Sequence, residues 1–554
     1  MNVTQRRRGR RRESRRALLI WSAALAGVAG LALAGCRDDD DAAPAVAPDQ
    51  GRATAAAQTP KPGGVFHDGT TGAFGTLDPH NSPNGVNSQI VPVAYNYLLR
   101  TSILVPDQGI LWDLGTSYEV TDPTSWTFKL RPDVMVAAND HGIPRRPLDA
   151  EDVKVNMERW ADPSTGSPGV RFARGWVERV EAPDSTTVRV ITKGPYAWVL
   201  QNMGNYIFSA IAPREWLASP NLKTAAVGGG PFVVKEWEPG SRSVVAKNPA
   251  YYVKERPYLE QYELRAFADQ VTYRTAFVSG QVDEYVASNA DEADELQKAN
   301  KDLQRSDSTV GNYQGFWMNV RSNPWNDPRV RRAVARAINR KEFIQLLGRG
   351  KGEPIGVLPA TMRPYAVSAA ELEALQPFDV AEARRLFQAA GVKEFSFVHS
   401  TATVVADYAT ILVRQMAAAG VTATPQPLDP GAWVQGLFRS THTATHLSTP
   451  EFSDPDFAMT AHASRGPIGS GNYDTGFSDA EVDAAIRKAA GTLDEQERIK
   501  AYHDAQRLIL QRDPAWLTYF SPIASSLIQP HVRGVQRGVG QLGTAFRHEI
   551  WLDQ

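Results

Sequence analysis

The chain has 554 residues, one cysteine, and 60 Lys+Arg against 61 Asp+Glu. At roughly 150 residues per domain this is about three domains' worth of chain. A 42% hydrophobic content with 13 Trp excludes a disordered or fibrous chain. The lone cysteine excludes an intramolecular disulfide and any Cys-based structural zinc site.

The charge is unevenly spread. Arg6, Arg7, Arg8, Arg10, Arg11, Arg12, Arg15 and Arg16 stand against the single acid Glu13 in the first 35 residues. Removing this head leaves 52 basic and 60 acidic residues, a net of −8, which argues against a nucleic-acid partner. The basic stretch, the uncharged run Ala17–Ala34 and the small residues at its exit read as a signal peptide over residues 1–35. Cys36 directly follows Leu33-Ala34-Gly35, which resembles the lipobox of bacterial lipoproteins. The resemblance implies a lipidated Cys36 as the mature N-terminus and the point of membrane attachment. The alternative is a transmembrane anchor, but an 18-residue run rich in Ala and Gly is at the lower edge of spanning length. Ser14-Arg15-Arg16-Ala17-Leu18-Leu19 resembles a twin-arginine export signal without its usual Phe and Lys, so twin-arginine and general secretory routes both stay open. Residues 36–60 have Val46 as their one bulky apolar residue and read as a flexible tether, with Asp38–Asp41 a solvated spacer.

Beyond the tether, β-type runs alternate with amphipathic helical patterns, which predicts an α/β architecture. Ser125–Arg131 alternates as a half-buried strand does. Asp149 is placed to cap a helix through Asp152, with Val153, Met157 and Trp160 on one face. Gly228–Gly230 before Pro231 suits a turn that approaches another backbone, and Asn248-Pro249 starts a turn before the packed pair Tyr251 and Tyr252. Arg331, Arg332 and Arg340 flank a helix whose apolar face holds Val330, Val334 and Ile338, and are expected in surface ion pairs. Two further helices are expected over Asp479–Ala490 and Asp494–Gln511, the second carrying Ile499, Tyr502, Leu508 and Ile509. No internal repeat is visible.

Segments in a fixed order resemble the large peptide/nickel-type (family 5) extracytoplasmic solute-binding proteins of bacterial ABC transporters. They are Gly63-Gly64, Thr76–His80, Trp126–Arg131, Leu148–Val153 with Glu158-Arg159, Gly228–Gly240, Lys247–Tyr252, Asp327–Ala333, Ala337–Arg340 and Ala381–Gly391. The resemblance implies an α/β, two-lobed periplasmic-binding-protein-like clamp of the large type, with an inserted subdomain and a ligand cleft between the lobes. It places the first lobe at 61–315, the insertion at about 100–225, the second lobe at 316–529, and a C-terminal return to the first lobe at 530–554. A hinge closing over a solute needs few moving backbone positions. Its closure free energy has to come from contacts that both lobes make with the solute.

Three segments are candidate cleft walls. Leu77–Asn84 offers Asp78, His80 and Asn81 on a polar loop. Tyr313–Asn319 offers Tyr313, Phe316, Trp317 and Asn319, aromatics that sandwich a solute or simply fill the hinge core. The third comprises Trp433, Arg439 and Thr443–Asp456, with His446, Glu451 and Asp454. In peptide-binding relatives an acid ahead of an acid–proline pair holds the ligand's ammonium group. The resemblance carries that role to Glu451, three residues before Asp454-Pro455, against the plain reading of a solvated loop glutamate. Those relatives also hold the peptide carboxylate with an arginine six residues before the acid; Thr445 stands there in this chain, which puts the peptide ligand in question. His442 and His446 share a face whether on a helix or a strand, but a strand spreads them too far to chelate easily, and no metal or cofactor is expected.

The resulting expectation is a monomeric, non-enzymatic binding lipoprotein that delivers a small solute, peptide first among the candidates, to ABC permease subunits. A metal chelate, an oligosaccharide or another solute stays open, as does a sensory receptor without a transporter. The competing class is a lipid-anchored secreted hydrolase. The sequence contains no Gly-x-Ser-x-Gly, no His-Glu-x-x-His and no phosphate loop opening a helix; Gly348–Gly352 follows a helical pattern instead.

Overall fold

The structure, a computed structural model, describes residues 59–71, 75–81, 87–101, 109–401, 403–448, 454–464, 474–536 and 546–553. The expected signal peptide, Cys36 and nearly all of the tether lie outside the described residues. Among the described residues no helix is long and apolar enough to cross a membrane.

The first lobe is built on a four-stranded sheet in the order Val65–Thr70, Gln261–Ala266, Arg242–Lys247 and Phe232–Glu238. Val65–Thr70 runs parallel to Gln261–Ala266, and the other pairs are antiparallel. The alternation of Phe66, Tyr262, Leu264 and Val245 turns one face inward. A second sheet pairs Ile523–Ile528 with both Glu284–Ala287 and Gln304–Thr309. The C-terminal strand Trp551–Leu552 closes on Val532–Arg533. Arg547 fastens this return by reaching Asp68 at 3.2 Å and Glu284 at 3.3 Å.

Within the stretch expected to form the insertion lies a separate antiparallel sheet, ordered Gly115–Asp122, Ser125–Leu130, Thr187–Thr192 and Val177–Asp184. Trp126 and Phe128 on one strand and Val188 and Val190 on its neighbour form the buried face. Helix Ala150–Ala161 packs here because Val153, Met157 and Trp160 recur at helical spacing. Its start is fixed by a capping box in which Asp149 accepts from the Asp152 amide while the Asp152 side chain accepts from the Asp149 amide. Gly228–Gly230 permits the close approach expected from the sequence: a Cβ at Gly228 would fall 2.5 Å from the Ala94 carbonyl oxygen.

The second lobe centres on a five-stranded sheet ordered Thr422–Leu428, Glu394–Ser400, Ala444–Ser448, Gln314–Met318 and Trp516–Thr518. Helices Pro328–Ala337 and Thr403–Ala418 cover one face around Phe316, Met318, Phe395 and Phe397. Helices Ala480–Gly491 and Glu495–Gln511 pair with each other, each with an aspartate, Asp479 or Asp494, at its N-cap. Gln304–Thr309 belongs to the three-stranded sheet and Gln314–Met318 to the five-stranded one, and the chain goes back from Trp516–Thr518 in the five-stranded sheet to Ile523–Ile528 in the three-stranded one.

Two arginines differ from the sequence expectation. Arg331 is buried and donates to the carbonyls of Asp513 at 2.8 Å and Trp325 at 2.7 Å. Arg340 is buried and donates to the Thr518 carbonyl and the Gln376 side chain, both at 3.0 Å. Each ties a helix to the chain around the strand Trp516–Thr518, a demand that sequence periodicity does not display. Arg332 does form an ion pair with Asp513, at 2.7 Å.

Candidate functional site

The first candidate wall is a closed polar knot. Asp78 is buried and accepts two hydrogen bonds from Arg159, at 2.8 and 2.9 Å, as well as the His80 amide at 3.0 Å. His80 accepts from Arg159 at Nδ1 (2.7 Å), so its proton sits on Nε2, facing the Asn156 side chain at 2.8 Å and the Ala210 carbonyl at 3.0 Å. Burial, reinforced by the neighbouring guanidinium, pushes the His80 pKa down to about 3 and keeps the ring neutral. Asn81 donates to the Thr165 carbonyl at 3.3 Å. Asp78 and His80 thus lock the Leu77–Asn81 loop to helix Ala150–Ala161, and Asn81 ties it to the turn Pro163–Thr165 that follows. Asn84 falls outside the described residues. Sequence reading missed Asn156 and Arg159 as the partners in this knot, because nothing in a helical pattern announces a polar residue that serves a loop 80 positions earlier.

The second wall divides by strand alternation. Phe316 turns into the second-lobe core against Trp325, Phe395 and Phe397, with ring centroids at 5.6, 6.2 and 5.5 Å. Trp317 points to the opposite face, into the cluster that spans the second lobe and the insertion. Tyr313 lies in the same cluster, 6.0 Å from the Trp516 ring. Asn319 is buried and donates to the carbonyls of Ser440 and His442, each at 3.3 Å, so it holds the turn that precedes strand Ala444–Ser448.

The third wall is anchored on that strand, whose residues register as Phe316↔His446 and Trp317↔Thr445. His446 shares the core face with Phe316, donating Nε2–H to the Gln314 side chain at 3.0 Å, with Tyr408 and Tyr519 rings at 5.1 and 5.6 Å. Burial, with His399 nearby, lowers its pKa to about 3. Thr445 faces the other way, with its hydroxyl accepting from the Trp433 indole at 2.8 Å. His442 does not reach the strand and donates to the Trp433 carbonyl at 2.8 Å. Arg439 ends helix Pro430–Phe438 with its side chain exposed. Asp454 is buried at the N-cap of helix Pro455–Met459, accepting from the Phe457 amide at 2.8 Å and from Asn202 at 3.2 Å. Glu451 lies outside the described residues.

The structure therefore brings Trp317, Thr445 and Trp433 together on one face and sends Phe316 and His446 to the other. Asp78, His80 and Asn81 form a separate group around helix Ala150–Ala161. Among the described residues no group of three or more His, Cys, Asp or Glu is placed to hold a metal ion.

Comparison with known proteins bears on this arrangement as a whole. Residues 112–479 match the family described as bacterial extracellular solute-binding proteins, family 5 Middle. The chain is 24% identical over 460 residues to the di/tripeptide-binding protein 2 of Pseudomonas aeruginosa, covering 78% of this chain and 84% of that one. The ABC transporter-associated periplasmic binding protein DppA from Helicobacter pylori, solved with the peptide STSA, superposes with a TM-score of 0.78 at 21% identity. That superposition covers 89% of this chain and 99% of DppA. AgaA from A.tumefacien R10, solved with agropinic acid, gives a TM-score of 0.77 at 23% identity, over 89% of this chain and 99% of that one. These likenesses establish the two-lobed binding-protein fold, and the family match covers well over half of the sequence. The chain belongs to the family 5 bacterial extracellular solute-binding proteins.

Proposed function

We propose that the protein captures a peptide or an organic solute of similar size between its lobes and hands it, unaltered, to an ABC permease. The observation that carries this reading is the superposition over 89% of the chain on a binding protein holding a peptide. Trp433 and Trp317, on one face of the second-lobe sheet, supply the aromatic wall, with Tyr313 beside it. Glu451 supplies the carboxylate for a solute ammonium group, and Arg439, exposed at the end of its helix, supplies a cation. Asp78, His80, Asn81, Asn319, His446 and Asp454 act by positioning these walls, since each makes a side-chain hydrogen bond to another part of the protein. The protein works extracytoplasmically as a monomer, exported by the signal peptide and held at the membrane by lipidated Cys36.

No catalytic step enters this reading. His80 accepts from Arg159 at Nδ1 and meets Asn156 and the Ala210 carbonyl at Nε2, while Nε2 of His442 and of His446 donate to the Trp433 carbonyl and the Gln314 side chain.

A specific observation favours a second reading, a solute without a peptide's free carboxylate. Thr445 is wholly buried and its hydroxyl already meets Trp433 and the Val398 carbonyl, so this position has no group free for a carboxylate. The structural neighbour AgaA was solved with agropinic acid. Calorimetry with di- to tetrapeptides in two series, free and C-terminally amidated, separates the readings. Preference for free peptides supports the first, equal binding of both series the second, and binding of neither series overturns the peptide proposal.

A further inference from the structure

The inserted subdomain is held to the first lobe at several points. Arg159 grips Asp78, the Trp216 indole donates to the Tyr95 hydroxyl at 3.1 Å, and the Leu77 amide donates to the Lys223 carbonyl at 2.8 Å. The subdomain therefore travels with the first lobe when the two lobes separate. One of its segments, however, is embedded in the second lobe.

Trp198 donates its indole N–H to the Tyr502 hydroxyl at 2.7 Å, across 304 residues of sequence. The Tyr196 hydroxyl donates to Asp456 at 3.1 Å, and Asn202 donates to Asp454 at 3.2 Å. The Ala197 amide adds a backbone bond to the Ala490 carbonyl at 2.8 Å. Tyr196, Asn202, Asp454, Asp456 and Tyr502 are fully buried and Trp198 is 2% exposed. These are direct lobe-to-lobe contacts that contain no solute atom. Separating the lobes would hydrate two large aromatic side chains and break hydrogen bonds made in a dry setting, so these contacts favour the closed arrangement on their own.

We propose that the Tyr196–Met203 segment is a solute-independent latch that keeps the second lobe against the inserted subdomain when the cleft is empty. The inference rests on the two-lobed clamp reading and adds positioning residues to it. Solute affinity then depends on the closed fraction as well as on the cleft walls: a solute that needs the closed form binds less tightly in proportion as the latch opens.

Spin labels at Glu158→Cys on the insertion and Arg487→Cys on the second lobe, in the full chain carrying Cys36→Ser, read the distance across the latch. The sample is refolded from denaturant and checked by native mass spectrometry to be free of small molecules. The latch predicts one short distance for the otherwise unaltered chain. Trp198→Phe and Tyr502→Phe each add a longer-distance population, and the double variant adds no more than either one, because both remove the same bond. Asn202→Ala, acting on a different bond, also adds the longer distance and serves if Trp198→Phe does not fold. A solute-free chain already dominated by the long distance overturns the proposal, as does an unchanged short distance in every variant. The measurement contains no solute, so failure of the peptide panel leaves its outcome untouched.

Discussion

Trp433 donates its indole N–H to Thr445 Oγ1 at 2.8 Å, and the same hydroxyl lies 3.0 Å from the Val398 carbonyl, to which it donates. One small side chain thereby fastens helix Pro430–Phe438 to two neighbouring strands of the second-lobe sheet. Replacing Thr445 with Val keeps the shape and removes both bonds. We expect a loss of about 1–2 kcal/mol in urea unfolding, with the Trp433 emission shifting to the red as its ring loosens. A change under ~0.3 kcal/mol would show the hydroxyl to be dispensable.

The Asp78–Arg159 pair sets a larger cost. Arg159→Ala leaves a buried carboxylate without its guanidinium and His80 Nδ1 without its donor, for an expected loss of about 3–5 kcal/mol. Arg159→Lys restores the charge without the two-point contact and recovers only part of that loss. Chemical denaturation checks both, and equal stability of the Lys variant and the parent chain would contradict the role given to the bidentate geometry.

What could be read from the sequence follows the range of the interactions involved. The Asp149 cap, the Val153–Met157–Trp160 face and the paired C-terminal helices are local, and each stands where spacing put it. The Gly228–Gly230 turn was legible because a run of glycines has few other physical explanations. The roles of Phe316 and Trp317 were not, since strand alternation assigns adjacent residues to opposite faces without saying which face is the cleft. The pairings of Tyr196, Trp198 and Asn202 were not legible because their partners lie 252 to 304 residues away. Arg340 looked like surface charge because a buried arginine that binds a carbonyl and an amide carries no sequence mark.

Acidification is expected to weaken the fold. His80 and His446 titrate near pH 3 and His462 near pH 4 in the folded chain, each lowered chiefly by burial from 6.5. The unfolded chain takes up these protons first, so the three groups stabilise the fold fully above pH 6.5 and lose that contribution as pH falls towards their folded values. Asp68 opposes them: burial raises it from 3.8 to about 6, so it favours the folded state as pH falls through 6. The net loss between pH 6.5 and 5 is roughly 2–4 kcal/mol. His462→Phe removes one titrating ring while keeping an aromatic beside Trp516, and should flatten a plot of denaturation midpoint against pH. An unchanged slope would contradict the assignment.

At the membrane end, Cys36→Ser should move the protein from the membrane to the soluble fraction, and retention in the membrane would contradict lipidation. At the cleft, Glu451→Ala should weaken solute binding at least tenfold, or about 1.4 kcal/mol, with the denaturation midpoint unchanged. Unaltered affinity by calorimetry would remove Glu451 from the site.

Capture without chemistry is tested most directly on whatever small molecule copurifies with the full chain. Identified by mass spectrometry, resupplied to emptied protein and titrated by calorimetry, it should bind saturably at one molecule per chain. After prolonged incubation it should be recovered entirely at its starting mass. Release of fragments, or of a modified compound accumulating beyond one equivalent, would show an enzyme in place of a carrier.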